Sequence, residues 1–241
     1  MNILRGKTAL ITGATGGLGS SLAMSFAEMG INLLLTSTNL NELKNLQKEL
    51  NKKFKSIDIE IIQCNLIENF KSFLGYFDDD GMFGEKVIDI LVNNAALFPA
   101  NALKKTSEEE IIQTMFLNAT FPILLAKKLS KNMMSRNFGR IINIGSSSSY
   151  SGFKNTVTYC SSKHAILGFS RALHQEFKDY NLRVYCVSPG SLKTNMGLKV
   201  IGQKYESFIE CDELSTLIVD LIKYNNNMIP DEIRVNRMET Q

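Results

Sequence analysis

Short apolar runs alternate with longer amphipathic stretches from one end of the chain to the other. The runs have the length of buried strands, and the stretches between them repeat apolar residues at helical spacing. This alternation predicts repeated β-α units, which build a parallel sheet with helices on both faces. Because crossovers between parallel strands are right-handed, we expect a doubly wound α/β fold.

The same pattern gives the approximate bounds of the elements. Strands are predicted at Thr8–Thr12, Ile31–Thr36, Ile57–Cys64, Val87–Val92, Arg140–Ile144, Arg183–Val187 and Met228–Val235. Helices are predicted at Leu18–Met29, Leu40–Leu50, Ser107–Leu129 and Thr158–Phe177. The acidic segment Phe77–Gly84 reads as a solvated surface loop. No linker or repeat divides the chain, so we expect residues 1–241 to form one domain.

Composition narrows the class of protein. Of the 241 residues, 44% are apolar, which suits a folded core and excludes disordered, collagen-like and coiled-coil chains. The net charge is 27 − 24 = +3 and the charges are scattered, so no nucleic-acid partner is expected. Four separated cysteines and two histidines predict reduced thiols and no metal site. Without a signal-peptide or membrane-spanning pattern, we expect a cytoplasmic protein with no membrane partner.

A glycine-rich turn follows the first predicted strand and opens directly into a helix. It reads Thr12-Gly13-Ala14-Thr15-Gly16-Gly17-Leu18-Gly19. Glycine permits the tight turn and lets backbone N–H groups approach a pyrophosphate, and the helix N-terminus adds positive partial charge. The strand–turn–helix context predicts a dinucleotide site, and no Gly-Lys-Ser/Thr follows that would indicate a P-loop.

The end of the second predicted strand bears on which dinucleotide binds. An acidic residue there would hold the ribose 2′-hydroxyl of NAD and repel the 2′-phosphate of NADP. The segment Leu35–Asn39 contains Ser37 and Thr38 and no acid. The missing carboxylate favours NADP(H) over NAD(H).

Three features point to a catalytic site. Tyr159 and Lys163 are four residues apart, one turn along the same helical face. Ser146 lies thirteen residues before the tyrosine, just after a predicted strand. Asn118 stands in the middle of a predicted helix, where asparagine is unfavourable.

Taken in order, these motifs closely resemble the short-chain dehydrogenase/reductase family. The matching elements are Thr12 to Gly19, Asn93-Asn94-Ala95, Asn118, Ser146, Tyr159 with Lys163, and Pro189-Gly190 with Thr194. They occur in the family's order with fitting separations over essentially the whole chain. The resemblance implies a single Rossmann-type domain that uses NAD(P)(H) to interconvert a carbonyl and an alcohol.

The resemblance also implies catalytic roles. Tyr159 would be the general acid or base, and an ammonium nearby at Lys163 would lower the tyrosine's pKa. Family precedent also has this lysine bind the nicotinamide ribose. Ser146 would hold the substrate oxygen, and Asn118 would hold a water that relays protons from Lys163. The hydride chemistry belongs to the nicotinamide, so no metal is required.

The cofactor-binding residues carry over by position. They are Gly13, Thr15, Gly16, Gly17, Leu18, Gly19, Ser37, Thr38, Asn65, Leu66, Asn93, Ala95, Tyr159, Lys163, Pro189, Gly190, Leu192 and Thr194. Two positions depart from the family pattern. Asn65 stands where an aspartate is usual, and Ala96 stands where glycine is common. Neither departure touches the reacting groups.

Substrate contacts are expected from loops around the predicted cleft. The candidates are Ser148, Tyr150, Phe153 and Met196. Residues 195–211 are expected to form a mostly apolar lid without a charge clamp for phosphate or carboxylate. The C-terminus lacks the glycine-rich ending of 3-oxoacyl-carrier-protein reductases in this family, which weakens that assignment without excluding it.

Assembly and function each leave alternatives. The two long predicted helices carry apolar residues on more than one face, for example Ile111, Met115, Ile123, Leu124, Ile166, Phe169 and Leu173. Relatives pair these helices, so a homodimer or homotetramer is expected.

The main alternative to an enzyme is a catalytically silent dinucleotide-binding sensor or scaffold. An epimerase or dehydratase would need a longer substrate domain after Thr194.

Overall fold

One seven-stranded parallel sheet organises the chain. The computed structural model describes residues 3–238. The strands are β1 (Thr8–Thr12), β2 (Asn32–Ser37), β3 (Ile59–Gln63), β4 (Ile90–Asn93), β5 (Gly139–Ile144), β6 (Leu182–Pro189) and β7 (Glu232–Val235). Their order across the sheet is β3-β2-β1-β4-β5-β6-β7, and every pair is parallel. The predicted α/β class is confirmed.

Helices cover both faces of this sheet. They are α1 (Gly17–Glu28), α2 (Leu40–Lys53), α3 (Phe70–Gly75), α4 (Glu108–Met115), α5 (Phe121–Ser135), α6 (Val157–Phe177) and α7 (Cys211–Ile222). Alternate strand residues point to opposite faces, so each strand contributes to two cores. Within residues 3–238, no helix combines the length and apolar character required to cross a membrane.

The two cores divide the helices between them. Ile11 and Leu35 lie in the core under α1, α2 and α7, while Leu10 and Leu34 lie in the core under α3, α5 and α6. Both faces of the central strands are thus buried. This explains why the apolar runs that form them do not alternate with polar residues.

The winding reverses between β1 and β4, which are neighbours although far apart in sequence. Ile11 in β1 is in register with Val92 in β4. In open α/β sheets the crevice beyond the carboxyl ends of the strands at such a point is where ligands bind. The loops after β1 and β4 are therefore brought together there.

Three sequence-based expectations differ from the structure. The helix predicted over Ser107–Leu129 is α4, a π turn at Phe116–Thr120, and then α5. The helices α3 and α7 were not predicted. The segment Phe77–Gly84 is not simply a solvated loop, because Phe83 is 7% exposed and packs against Tyr76 and Phe77.

Candidate active site

A cavity of about 500 Å³ opens at the carboxyl edge of the sheet. Its walls come from the segments that follow β1, β4, β5 and β6, together with the first turns of α6. It brings the glycine-rich turn, Ser146, Tyr159 and Lys163 into one space.

Close backbone packing explains the glycines of the turn. Gly13 has a φ of +64°, and a Cβ there would lie 2.9 Å from the Cα of Ala95. A Cβ on Gly19 would lie 2.2 Å from the carbonyl oxygen of Gly13, and one on Gly17 would lie 2.7 Å from Cγ2 of Thr194. The turn therefore accepts no side chain at these positions.

The first turn of α1 leaves its backbone donors available to an anion. The helix begins after Gly16, with no capping side chain and no acidic residue in its first turn. By contrast, Asn39 caps α2 and Ser107 caps α4. Gly17, Leu18 and Gly19 line the cavity at this point. The cradle and its free donors fit the pyrophosphate of a dinucleotide.

Thr12 and Asn94 attach the glycine turn to the end of β4. The Thr12 hydroxyl donates to the Val92 carbonyl at 3.2 Å and accepts from the N–H groups of Asn94 and Ala95 at 3.0 and 3.1 Å. The Asn94 amide donates to the carbonyls of Thr12 and Gly13 at 2.9 and 3.0 Å. These bonds hold the turn at a fixed distance from the loop that follows β4.

The end of β2 contributes a hydroxyl and no carboxylate. The hydroxyls of Thr15 and Ser37 are 2.7 Å apart, and both residues line the cavity. Thr38 does not line it, and its carbonyl accepts a bond from Gln63 at 3.1 Å.

Some proposed cofactor contacts lie outside the cavity lining. Asn65 and Leu66 follow β3, and the Asn65 side chain accepts a bond from the Ile67 N–H at 3.0 Å. Asn93 is buried and donates to Asn143 at 2.8 Å. Pro189, Gly190, Leu192 and Thr194 do line the cavity, as predicted for that loop. The roles of all these residues remain predictions.

Tyr159 and Lys163 are both buried on the cavity side of α6. The Lys163 ammonium donates to the Ile144 carbonyl at 2.7 Å and lies 5.6 Å from the centre of the Tyr159 ring. Burial lowers the pKa of Lys163 to about 8. Burial raises the pKa of Tyr159 to about 12, and a hydrogen bond with Ser146 acts in the opposite direction. The pKa of Tyr159 is therefore raised by desolvation, and the lowering by Lys163 that the sequence predicted is not found.

Ser146 begins a compact turn directly after β5. Its hydroxyl accepts from the Ser148 N–H at 3.1 Å, and the Ser149 hydroxyl accepts from the Ser146 N–H at 3.1 Å. This capping box fixes the Ser147–Ser149 turn. Gly145 precedes it because a Cβ there would lie 2.2 Å from the Ser188 hydroxyl.

Asn118 lies in the π turn between α4 and α5. Its side chain accepts from the Leu97 N–H at 2.8 Å, donates to the Leu97 carbonyl at 2.8 Å and donates to the Ser162 hydroxyl at 3.0 Å. π turns are frequent at functional sites. The side chain thus ties the loop after β4 to α6, and its proposed part in a water relay remains a prediction.

The end of the cavity beside Tyr159 combines aromatic and aliphatic side chains with polar ones, including Lys154, Lys199 and Gln203. The Phe98 ring meets the Tyr159 ring edge-on, with centroids 4.7 Å apart. Of the four predicted substrate residues, Ser148, Phe153 and Met196 line the cavity. Tyr150 does not, because its hydroxyl donates to Glu232 at 2.8 Å.

The cavity wall also contains residues to which the sequence analysis gave no role of their own, among them Asn94, Lys154 and Gln203. Asn94 lies within the Asn-Asn-Ala motif, whose spacing signalled its position but not its bonds. Lys154 follows Phe153 in the loop before α6, and Gln203 lies in the expected lid. Neither carried a sequence signal of its own.

Comparison with known proteins identifies the family. The family model described as short chain dehydrogenase matches residues 7–204. The chain belongs to the short-chain dehydrogenase/reductase family. Its seven-stranded sheet and flanking helices are the fold of structurally solved members of this family.

This short-chain dehydrogenase/reductase is similar to curated proteins of two names. The 3-oxoacyl-acyl-carrier-protein reductase FabG of Haemophilus influenzae is 34% identical over 193 residues, covering 80% of this chain and 77% of that protein. Nodulation protein G of Rhizobium sp. (strain N33) is 31% identical over 212 residues, covering 86% and 81%.

Among solved structures, a short-chain type dehydrogenase/reductase from Mycobacterium marinum is 26% identical. Its TM-score is 0.83, with 97% of this chain and 95% of that chain covered.

Proposed function

We propose that this protein is an NAD(P)(H)-dependent oxidoreductase that interconverts a carbonyl and an alcohol. The observation that carries the proposal is the cavity shared by the Tyr159 phenol, the Ser146 hydroxyl, the Lys163 ammonium and the glycine-rich turn. The family membership supports oxidoreductase chemistry. A sensor or scaffold would not need a phenol, a hydroxyl and an ammonium at one cleft.

The chain's own residues would handle the proton and the substrate oxygen. In reduction, Tyr159 donates its phenolic proton to the carbonyl oxygen while Ser146 donates a hydrogen bond to the same oxygen. The Lys163 ammonium stabilises the phenolate that Tyr159 becomes. When bound, the nicotinamide supplies the hydride in reduction or accepts it in oxidation.

NADP(H) is the proposed cofactor. Gly13 and the residues Gly16 to Gly19 would hold the pyrophosphate, and Thr15 and Ser37 would face the adenosine ribose. The supporting observation is that the cavity wall at the end of β2 offers hydroxyls, 2.7 Å apart, where a carboxylate would repel a 2′-phosphate.

The substrate is proposed to be a small ketone or alcohol with apolar substituents. Phe98, Phe153, Met196 and Ile201 supply apolar surface to this end of the cavity. Residues 195–211 would act as the lid. Ile201, which is 88% exposed in this arrangement, would gain cover when the lid closes over a ligand.

Replacing Tyr159 with phenylalanine tests the proposal. The wild-type protein is titrated with NADPH and NADH, then supplied with a panel of ketones and alcohols while absorbance of the reduced nicotinamide is recorded. We expect tighter NADPH binding, and turnover that falls by about 10²- to 10⁴-fold in Tyr159→Phe because the proton donor is lost. Cofactor affinity should change less than twofold.

Tyr180→Phe is the matched control, because Tyr180 is 47% exposed and lies outside the cavity wall. It should retain full turnover. Retained turnover in Tyr159→Phe would remove the assigned acid. Cofactor binding without turnover of any substrate in the panel would favour a silent binding module.

A further inference from the structure

Tyr150, Arg171 and Glu232 form a polar cluster outside the cavity wall. The Tyr150 hydroxyl donates to Oε1 of Glu232 at 2.8 Å. Arg171 donates to both carboxylate oxygens, from Nε to Oε2 at 2.7 Å and from Nη2 to Oε1 at 2.9 Å. The Arg234 guanidinium lies 4.3 Å from the centre of the Tyr150 ring. One carboxylate thus joins two elements, and a cation covers the ring beside it.

The first of these elements is the turn that carries Ser146. Tyr150 ends this turn, and its N–H bonds to the Ser147 carbonyl at 3.2 Å. The capping box makes the turn a rigid unit from Ser146 to Ser149. β5 holds one end of that unit, and the Tyr150 side chain holds the other.

The second element is α6, which carries both Tyr159 and Arg171. Glu232 itself lies in β7, at the edge of the sheet. Its carboxylate therefore contacts the turn that carries one reacting group and the helix that carries the other.

We propose that Glu232 is a positioning residue, which sets the distance between the Ser146 hydroxyl and the Tyr159 phenol through its bonds to Tyr150 and Arg171. This inference rests on the proposed function. It assigns a part in the reaction to a side chain that does not line the cavity.

The cluster is partly exposed to solvent, which favours a positioning role over a role in stabilising the fold. The Arg171 side chain is 59% exposed and that of Glu232 is 28% exposed. Ion pairs this open to water add little to the stability of a fold. Two parallel bonds nevertheless fix the geometry of the carboxylate closely. A displacement of about 1 Å at a reacting group can cost on the order of 10²-fold in rate.

The experiment compares Tyr150→Phe, Glu232→Gln, Glu232→Ala and the double variant Tyr150→Phe/Glu232→Ala. Asp220→Ala is the matched control, since Asp220 forms an exposed ion pair with Lys223 elsewhere on the surface. Steady-state kcat and KM are measured per site that binds NADPH, which removes any unfolded fraction. Hydrogen exchange of residues 145–152 is followed by mass spectrometry.

We expect kcat to fall about tenfold in Tyr150→Phe and in Glu232→Ala, with NADPH affinity unchanged within twofold. The kcat of Glu232→Gln should fall less, because the amide oxygen of glutamine still accepts the hydrogen bond from the Tyr150 hydroxyl. The double variant should be no slower than Glu232→Ala, since that change already removes the bond that Tyr150→Phe breaks. Exchange in residues 145–152 should accelerate in the same variants, and Asp220→Ala should match the wild type.

Unchanged kcat in Tyr150→Phe and Glu232→Ala would overturn the proposal, whether or not exchange accelerates. Losses that multiply in the double variant would also overturn it, because two independent sites would then be involved. A wild-type protein without turnover would refute the proposed function instead. The exchange measurement would still decide whether the cluster holds the turn.

Discussion

Burial acts in opposite directions on the two titratable groups of the site. It lowers the pKa of Lys163 from 10.5 to about 8 and raises that of Tyr159 from 10.0 to about 12. At neutral pH the phenol therefore keeps its proton, and the lysine is still mostly charged. A protonated phenol beside a cation is the state needed to donate a proton to a carbonyl oxygen.

The same shift links Lys163 to stability. Its folded pKa lies below its ordinary value, so the unfolded chain binds more protons between about pH 8 and pH 10.5. The contribution of Lys163 to stability therefore rises with pH across that window.

The pH dependence of carbonyl reduction provides a test at this scale. We expect kcat/KM to fall as the pH rises through about 8, because Lys163 then loses the charge that stabilises the Tyr159 phenolate. Arginine keeps its positive charge at these pH values. The kcat/KM of Lys163→Arg should therefore not fall as the pH rises through about 8, although its overall rate will be lower. If kcat/KM still falls in the same pH range in Lys163→Arg, a group other than Lys163 causes the fall.

The sequence predicted which proposed reacting groups share one cavity better than it predicted the contacts that surround them. Tyr159, Lys163 and Ser146 were predicted from spacing, and the structure brings all three to one cavity. Tyr150 was expected at the substrate because it follows the serine turn. Its partner Glu232 is 82 residues away, and a contact of that separation leaves no local pattern in the chain.

At the scale of elements, one buried cation joins β5 to the end of α7. Arg140 lies in β5, is fully buried and stacks on Phe138 at 4.4 Å. Its guanidinium donates to the carbonyls of Gly139, Asn181, Ile222 and Tyr224 and to the side chain of Asn225. Arg140 therefore holds the segment after α7 against the sheet, and Arg183 adds bonds to the carbonyls of Asn226 and Met228 in the same segment.

Arg140→Met should destabilise the fold by roughly 3 kcal/mol or more, because it leaves several buried carbonyls without donors. Urea unfolding followed by circular dichroism measures this change. Lys223→Met is the control, since Lys223 forms only an exposed pair with Asp220 and should cost well under about 1 kcal/mol. Equal midpoints for the two variants would contradict this account of Arg140.

The strands and most helices were predictable because each carries its own apolar pattern. All seven strands lie where a run predicted one, although Ile57–Cys64 and Met228–Val235 shorten to β3 and β7. The short helix α3 escaped because six residues give too little periodicity. The π turn was not predicted because the contacts of Asn118 within it, to Leu97 and Ser162, join residues 21 and 44 positions apart and leave no local pattern.

For the whole molecule, the apolar surface outside the core bears on assembly. Ile166 and Leu173 of α6, given above as examples of apolar residues on more than one helix face, are buried within the chain itself. Ile112 on α4 remains 64% exposed and Ile123 on α5 remains 42% exposed. Of the residues that the two long predicted helices offered, Ile166 and Leu173 are therefore closed to a partner, whereas α4 and α5 each keep an exposed apolar side chain.

We expect a homodimer or homotetramer in light scattering after size exclusion at micromolar concentration. Ile112→Glu combined with Ile123→Glu should lower the mass, because charges would be buried at the interface. Ile201→Glu is the control, since Ile201 is 88% exposed within the expected lid and should leave the mass unchanged. A monomeric wild type would contradict the expectation.

The π turn at Phe116–Thr120 also constrains changes in chain length. A π turn holds one residue more than an α turn over nearly the same rotation, so removing one residue, such as Ala119, would leave a regular helix with α5 close to its present orientation. The change would fall on the turn itself, where Asn118 would shift relative to its partners Leu97 and Ser162. Single-residue deletions here should therefore disturb the bonds of Asn118 more than the packing of α5 against the core.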